Sequence, residues 1–201
     1  MRAKVTPARR MGVEDSRTRQ RLVDEAMKLV IKEGCSAITA RRLAEKLGLK
    51  RQILHYYFSN VDELLIEVIR HHSALFRERL LETLQTSEPL KVIWDSGDSI
   101  AIPVLEFTIM SVRSKAVREE LSKHLDEVRR MQMVAVSRYL ELRGIKPVVA
   151  PSVMVTVVSA ISHALALRRA VGVTDGQAEV KALVDGWLAA YGTRGTLQTG
   201  E

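Results

Sequence analysis

The sequence predicts an all-α protein, with a small N-terminal helical domain followed by a larger helical domain. Apolar residues recur at three- and four-residue spacings along most of the 201 residues, as they do on the buried face of an α-helix. No segment sustains the alternation of apolar and polar residues that is typical of a β-strand. Between residues 39 and 58, two short helical patterns flank a glycine, and this arrangement predicts a helix-turn-helix unit.

The N-terminal segment is basic and has no apolar period. Residues 1–16 mix arginine, lysine, threonine, proline and glycine, which predicts a disordered basic arm. The first helix is then expected over about 17–33, where Leu22 and Leu29 share one face. Gly34 follows, in the position where a left-handed residue often ends a helix.

The second and third helices are short. Thr39 is a suitable N-cap for the second helix, which Gly48 is expected to end. The third helix is expected over about 51–58 and begins with the long polar side chains of Arg51 and Gln52. A helix that opens with long hydrogen-bond donors, beside a turn that fixes its angle, suits the major groove of DNA.

The remaining segments predict a series of longer helices. Asn60 followed by Glu63 resembles a capping box, which predicts that the fourth helix begins at about Val61. No internal repeat or low-complexity tract interrupts this region. The predicted helices are 61–85, 89–94, 100–112, 115–142, 151–171 and 175–191.

Positive charge is concentrated in the N-terminal third of the chain. Residues 1–60 contain 14 Lys and Arg against six Asp and Glu, whereas residues 61–201 contain 17 against 18. The whole excess behind the formal net charge of +7 therefore belongs to the predicted helix-turn-helix domain and its arm. A basic domain of this kind is typical of proteins that bind the phosphate backbone of nucleic acid.

Four side chains of this unit are candidates for contacting bases. Arg51 can make paired hydrogen bonds to guanine, and Gln52 can make them to adenine. His55 lies one turn later and can offer a ring nitrogen to a base or a phosphate, while Arg41 can reach the backbone or an outer base. For each of the four, the competing interpretation is a solvated surface residue.

Four further residues are expected to contact phosphates, which position a recognition helix without reading sequence. One of them, Tyr57, could instead belong to the core, and the others could be ordinary surface residues. The four are Thr39, Lys50, Tyr56 and Tyr57.

Residues 17–65 resemble the DNA-binding domain of the tetracycline-repressor (TetR) family of bacterial transcriptional regulators. Three positions depart from the family pattern: Lys50 stands where the family usually has serine, His55 where it has tyrosine, and Val61 where it has lysine. Without the serine, the third helix loses a side-chain cap, at a cost of about 1 kcal/mol. The matching positions are Ala26, Gly34, Thr39, Leu43, Ala44, Gly48, Leu49, Leu54, Tyr57, Phe58, Glu63 and Leu64.

The resemblance implies a helix-turn-helix DNA-binding domain at 17–60 and a ligand-binding and dimerisation domain at 61–201. It also implies a cytoplasmic homodimer that binds a palindromic operator in double-stranded DNA, most often as a repressor. A small-molecule effector bound in the larger domain would release the operator. Neither the operator sequence nor the identity of the effector follows from these residues.

The family pairs the last two helices of each subunit into a four-helix bundle across the two-fold axis, and this chain offers two suitable helices. The helix at 151–171, which carries no charge before Arg168, and the last helix carry apolar surfaces that would otherwise be exposed. Ordinary core packing is the alternative. The residues expected near the interface are Val153, Val157, Ile161, Ala164, Trp187 and Tyr191.

An effector cavity is expected among the fourth to eighth helices. Pockets favour aromatic and methionine side chains together with a few polar groups. For each candidate, plain core packing is the competing interpretation. The candidates are Trp94, Phe107, Met110, Met131 and His163.

Other classes of protein have less support. The sequence contains no Gly-rich phosphate loop, HExxH motif, cysteine pair or nucleophile elbow, so we expect no catalytic, metal or cofactor site. The single Cys35 is expected to be small and buried. The uncharged run at 147–167 is long enough to span a membrane, but its proline, serine, threonine and histidine content favours a helix buried between protein surfaces.

The main alternative within DNA binding is a ligand-independent, architectural protein. Such a protein would use the same helix-turn-helix unit. Its larger domain would be filled and would have no cavity.

Overall fold

The fold is all-α, as predicted. The structure is a computed structural model that describes residues 13–86 and 88–193, and no strand occurs among them. The predicted basic arm lies outside the described residues up to residue 12. The α-helices are α1 (Val13–Glu33), α2 (Ala40–Leu47), α3 (Gln52–Tyr57), α4 (Val61–Thr86), α5 (Pro89–Arg113), α6 (Lys115–Leu142), α7 (Pro151–Ala170) and α8 (Gln177–Thr193).

The first helix begins earlier than the sequence predicts. α1 starts at Val13, so residues 13–16 are helical rather than part of an irregular arm. Apolar periodicity marks the turns that pack on a core, and it does not fix the residue at which a helix begins.

The prediction of two short helices between residues 89 and 112 is wrong. α5 is one continuous helix of 25 residues that contains both predicted segments and the polar stretch between them. That stretch includes Ser96, Gly97 and Ser99, which are typical of a loop in sequence.

The serine hydroxyls of this polar stretch are satisfied within α5, and a close helix contact keeps the stretch helical. The hydroxyl of Ser96 donates to the carbonyl of Ile93 at 2.9 Å, and the hydroxyl of Ser99 donates to the carbonyl of Ser96 at 2.9 Å. Gly97 is buried against Ser162 of α7, so the glycine is needed for packing rather than for a turn. Tertiary contact thus overrides local propensity.

The chain divides into two compact units, at residues 1–68 and 69–201. The predicted boundary lies at residue 60, whereas this division falls within α4. In the first unit α1 packs on α2, and α2 packs on α3. The buried side chains that form its core include Leu22, Ala26, Leu29, Leu43, Leu54, Phe58, Leu64, Leu65 and Val68.

The second unit is built around α5, which packs against α6 and α7. Its main core cluster joins these helices to α8, and a second, smaller cluster joins α4, α5 and α6. The main cluster contains Leu90, Ile93, Trp94, Val136, Leu140, Ile145, Met154, Val155, Val158, Val184, Leu188 and Tyr191. The second contains Leu80, Leu84 and Val128, with Phe76, Val92, Met131 and Ala135 packed against it.

Among the described residues, α7 is the one helix that is long and apolar enough to cross a membrane by length and composition. The core helix of a soluble protein passes the same test, so this observation alone is weak evidence. Only 22% of its apolar window is buried within the structure. Much of the apolar surface of α7 is therefore left uncovered by the rest of the chain.

Candidate nucleic-acid interface and regulatory surfaces

A capped and tightly ended helix precedes the candidate recognition helix. The side-chain oxygen of Thr39 accepts a hydrogen bond from the backbone N–H of Arg42 at 3.2 Å, which confirms the predicted cap of α2. Gly48 ends α2 with φ 66° and ψ 32°, in the left-handed region that favours glycine. The N–H of Leu49 donates to the carbonyl of Ala44 at 2.8 Å and completes the turn.

The recognition helix α3 begins without a side-chain cap. Arg51 occupies the N-cap position with helical backbone angles, and no side chain accepts a hydrogen bond there. The carbonyl of Lys50 accepts from the N–H of Ile53 at 2.9 Å, so the first turn closes through the backbone alone. This is the outcome expected where the family's serine is replaced by lysine.

The candidate base-reading residues lie on the solvent side of α3. Arg51, Gln52 and His55 are exposed, as is Lys50 just before the helix. On the opposite side, Leu54 is buried in the core of the first unit. The structure therefore brings these candidates together on one solvent-exposed polar face of α3.

The two tyrosines at the end of α3 pack against each other. Their ring centroids are 4.8 Å apart and the rings are perpendicular. Tyr56 is exposed, whereas Tyr57 is partly buried, so only Tyr56 stands clearly at the surface. The core interpretation of Tyr57 and the phosphate interpretation both remain compatible with this position.

Arg41 lies on α2 with an exposed side chain. Its guanidinium is 3.6 Å from the carboxylate of Glu45, one turn later on the same helix. An exposed pair of this kind contributes less than about 1 kcal/mol, so phosphate could displace the carboxylate.

Arg19 of α1 holds the end of the recognition helix, and the sequence analysis did not identify it. Its guanidinium lies 5.1 Å from the ring centroid of Phe58 and donates a hydrogen bond to Glu67 at 2.8 Å. The contact joins α1, the residue after α3, and α4. No spacing in the sequence signals it, because the three residues meet only in the fold.

The predicted capping box at the start of α4 is confirmed. The Asn60 side chain accepts from the N–H of Glu63 at 2.9 Å, and the Glu63 carboxylate accepts from the N–H of Ser59 at 2.7 Å. These two hydrogen bonds fix the start of α4 at Val61, four residues after α3 ends at Tyr57.

The predicted interface residues of α7 and α8 are not all at the surface. Val153, Val157 and Ala164 are exposed on α7, whereas Ile161 is partly buried against the main cluster. Tyr191 of α8 belongs to that cluster, so it is a core residue of the subunit.

Trp187 packs against the same cluster from the edge, with its ring centroid 5.2 Å from that of Tyr191. A surface residue that the sequence analysis missed is Leu183, which is 73% exposed on α8.

The five predicted pocket residues are distributed through the packed interior. Trp94 lies in the main cluster, Phe107 is buried on α5, and Met131 packs against the second cluster. Met110 and His163 are partly buried, and burial lowers the pKa of His163.

A groove between two helices of the larger unit is lined by other residues. It has a volume of about 580 Å³ and runs between α4 and α5, and we call it the α4–α5 groove. None of the five predicted pocket residues lines it. Its lining consists of Phe76, Arg79, Leu80, Thr83, Glu88, Lys91, Val92, Asp95, Ser96 and Ser99.

The described residues contain no group of three or more His, Cys, Asp or Glu side chains arranged to hold a metal ion. Cys35 is buried in a short 3-10 helix between α1 and α2, as expected for a small packing residue.

Comparison with known proteins relates the chain to one family. Residues 22–68 match the model of bacterial regulatory proteins of the tetR family. A curated relative, the HTH-type transcriptional regulator BetI of Rhizobium meliloti (strain 1021), is 22% identical over 129 residues, which cover 64% of this chain and 63% of that protein. The match thus spans somewhat less than two thirds of the relative's length.

Solved structures share the fold at low sequence identity. A transcriptional regulator from Saccharomonospora viridis, in complex with choline, has a TM-score of 0.65 and 19% identity, over 76% of this chain and 85% of that one. The transcriptional regulator FadR from Bacillus subtilis, in complex with stearoyl-CoA, has a TM-score of 0.61 and 15% identity, over 87% and 98% of the two chains.

The matched residues 22–68 span the helix-turn-helix unit described above, and the described residues that follow have the all-helical architecture of these regulators. Residues 22–68 therefore match the DNA-binding domain of tetR-family regulators, and the described fold is shared with solved transcriptional regulators.

Proposed function

We propose that the protein is a sequence-specific DNA-binding regulator that acts as a homodimer on a palindromic operator. The observation that carries the proposal is the polar face of α3, where Arg51, Gln52 and His55 are exposed together. Arginine and glutamine have the paired donors and acceptors that distinguish guanine and adenine in the major groove. Lys50, beside this face, supplies charge for the adjacent phosphates.

The proposed phosphate contacts surround the recognition helix. Thr39 and Arg41 are exposed at the start of α2, and Tyr56 is exposed near the end of α3. The net positive charge of residues 1–60 would strengthen binding to any duplex, while the α3 face would select the sequence.

A homodimer is supported by the uncovered apolar surface of the last two helices. Val153, Val157 and Ala164 follow one another at helical spacing on α7, and all three are exposed. Leu183 is 73% exposed on α8. Since such contiguous apolar surface is costly in water, we propose that a second copy covers it.

This proposal also accounts for the composition of α7 without a membrane. Its polar residues include Thr156, whose hydroxyl donates to the carbonyl of Ser152 at 2.8 Å. Ser162 is buried and donates to the carbonyl of Trp94 at 2.6 Å. The Thr156 bond lies within α7, whereas Ser162 is matched to a carbonyl of α5, which suits a helix packed against protein. We propose that the protein acts in the cytoplasm, where its operator would lie.

We further propose that the protein is a repressor released by a small molecule in the larger unit. Structures of the same fold have been solved with choline and with stearoyl-CoA, which supports a ligand role for this domain. α4 includes residues of both compact units, so a ligand that changes its position could change the spacing of the recognition helices. Half-sites on DNA lie about one helical turn or a multiple apart, so operator binding is sensitive to that spacing.

A second candidate is a DNA-binding protein without an effector. It is favoured by the position of Trp94 and Met131, which pack in core clusters rather than around a cavity. The two candidates differ in whether any small molecule changes operator affinity.

The proposal is tested by selecting genomic fragments with the purified protein. We expect enriched fragments with a shared inverted repeat, two protomers bound per repeat, and repression of a reporter placed downstream. Metabolites related to the neighbouring genes would then be tested for release. Enrichment of fragments that share no sequence motif would contradict sequence-specific DNA binding.

A further inference from the structure

The α4–α5 groove combines an apolar floor with a polar rim. Phe76 and Val92 pack against the second core cluster, which contains Leu80, so the floor is anchored to the interior of the unit. The volume of about 580 Å³ lies within the range of small-molecule sites. An apolar ligand body laid on this floor would lose its contact with water.

The hydroxyl groups along the rim have already used their hydrogens. Ser96 and Ser99 each donate to a backbone carbonyl three residues earlier, both at 2.9 Å. Thr83 donates to the carbonyl of Arg79 at 2.8 Å. These oxygens therefore present lone pairs to the groove and offer no donor to an anion.

Three of the charged groups on the rim have close neighbours. Lys91 and Asp95 pair with each other, and Glu88 lines a small cavity with Tyr139. The ammonium of Lys91 lies 3.0 Å from the carboxylate of Asp95 on the same face of α5. In that small cavity, burial and then the Glu88 carboxylate raise the pKa of Tyr139.

Arg79 differs from these groups. Its side chain is exposed at the rim, and its guanidinium forms no ion pair with any residue that the structure describes. A guanidinium is a forked donor that matches a carboxylate or phosphate with two parallel hydrogen bonds. Arg79 is thus the charged donor of the groove that is available to a ligand.

We propose that the α4–α5 groove is an effector site for an amphipathic organic anion, with its carboxylate or phosphate on Arg79 and its hydrocarbon part on Phe76, Leu80 and Val92. The inference rests on the proposed function, in which the larger unit holds the effector. It places that effector on the α4–α5 surface rather than among the core residues predicted from the sequence. A ligand seated there would contact α4 directly.

The test uses three probes with the same ten-carbon chain: sodium decanoate, decyltrimethylammonium and 1-decanol. Calorimetric titration of the full-length protein, below the aggregation concentration of each probe, should show saturable binding that is strongest for decanoate. Arg79→Gln should weaken decanoate binding about tenfold or more, because it removes the charged donor. Arg79→Lys, which keeps the charge but not the paired donors, should lose less affinity than Arg79→Gln.

Arg129→Gln is the matched control, because Arg129 is exposed on α6 and does not line the groove. It should leave the affinity for decanoate unchanged. Equal binding of the three probes, no saturable binding of decanoate, or equal effects of Arg79→Gln and Arg129→Gln would each overturn the proposed site.

Operator binding measured without probe separates this inference from the proposed function. Specific operator binding by both wild type and Arg79→Gln, with no decanoate binding, would refute the groove and leave DNA recognition intact. Decanoate binding without specific operator binding would refute the DNA-binding proposal instead.

Discussion

Gly97 of α5 and Ser162 of α7 are in such close contact that no other residue fits at position 97. A Cβ atom added to Gly97 would lie 1.7 Å from the side-chain oxygen of Ser162 and 2.7 Å from its Cβ. That oxygen donates a hydrogen bond of 2.6 Å to the carbonyl of Trp94, one turn before Gly97. The contact fixes how closely the central helix of the larger unit approaches α7.

Gly97→Ala should therefore lower the free energy of unfolding, although alanine favours helix more than glycine does. We expect a loss of about 1–3 kcal/mol, because the added methyl group forces α5 and α7 apart. Urea denaturation of the purified protein measures the change.

The double variant Gly97→Ala with Ser162→Gly provides the control, because it removes the two side-chain atoms that the new methyl group would meet and leaves only the backbone carbon of residue 162 at 3.1 Å. Its loss of stability should be smaller than the sum of the two single losses. Strict additivity would contradict the steric explanation.

The stability of the protein should fall as the pH drops through about 6.5, the ordinary pKa of histidine in the unfolded chain. Burial, followed by the charge of Arg77, lowers the pKa of His124 from its usual 6.5, and burial lowers that of His163. As the pH falls, these two histidines become protonated in the unfolded chain before they do in the folded chain. Protonation therefore favours unfolding, and stability falls with pH. Urea denaturation at a series of pH values measures this slope.

The double variant His124→Gln with His163→Gln should have a shallower pH dependence around the same pH. The carboxylate of Glu127 also faces His124 and acts in the opposite direction, as a smaller influence on its pKa. A variant with the same slope as wild type would show that the two histidines are not responsible.

Lys50→Ala should weaken binding to every DNA sequence by a similar factor. An exposed lysine beside α3 is expected to neutralise phosphate, so its removal should reduce the slope of log affinity against log salt by about 1. Fluorescence anisotropy with specific and random duplexes at several salt concentrations provides the measurement. Lys123→Ala, on α6, is the matched control and should change neither affinity nor slope.

Val157→Glu should convert the proposed dimer into monomers. Val157 is 44% exposed on α7, and a carboxylate there would be buried without a partner when a second copy covers the helix. Analytical ultracentrifugation should show the change in mass at concentrations where the wild type is dimeric.

Val112→Glu serves as the control for that experiment. Val112 is 73% exposed on α5, outside the two helices assigned to the interface. A dimer that survives Val157→Glu, or dissociates equally with Val112→Glu, would place the interface elsewhere.

The sequence predicted the first unit well because its signals are local. The Thr39 cap, the left-handed Gly48 and the Asn60 capping box each act within four residues, and all three occur in the structure. The continuity of α5 could not be predicted in the same way, since it depends on Ser162, which is distant in sequence from Gly97.

The pocket prediction illustrates the same limit. Aromatic and methionine residues suit a cavity wall and a core equally well, and Trp94 packs in the main cluster. The α4–α5 groove depends instead on which helices become neighbours, and Arg79 has no distinguishing pattern in the sequence.

The central claim is that the exposed start of α3 reads operator sequence, and selection from randomised duplexes tests it most directly. Wild-type protein should enrich an inverted repeat, whereas Arg51→Ala should enrich the same repeat with the preference for guanine lost at one position of each half-site. The loss at that position should correspond to about 1–3 kcal/mol. If wild type and Arg51→Ala enriched identical motifs, or if neither enriched any motif, the account of α3 as the recognition helix would be contradicted.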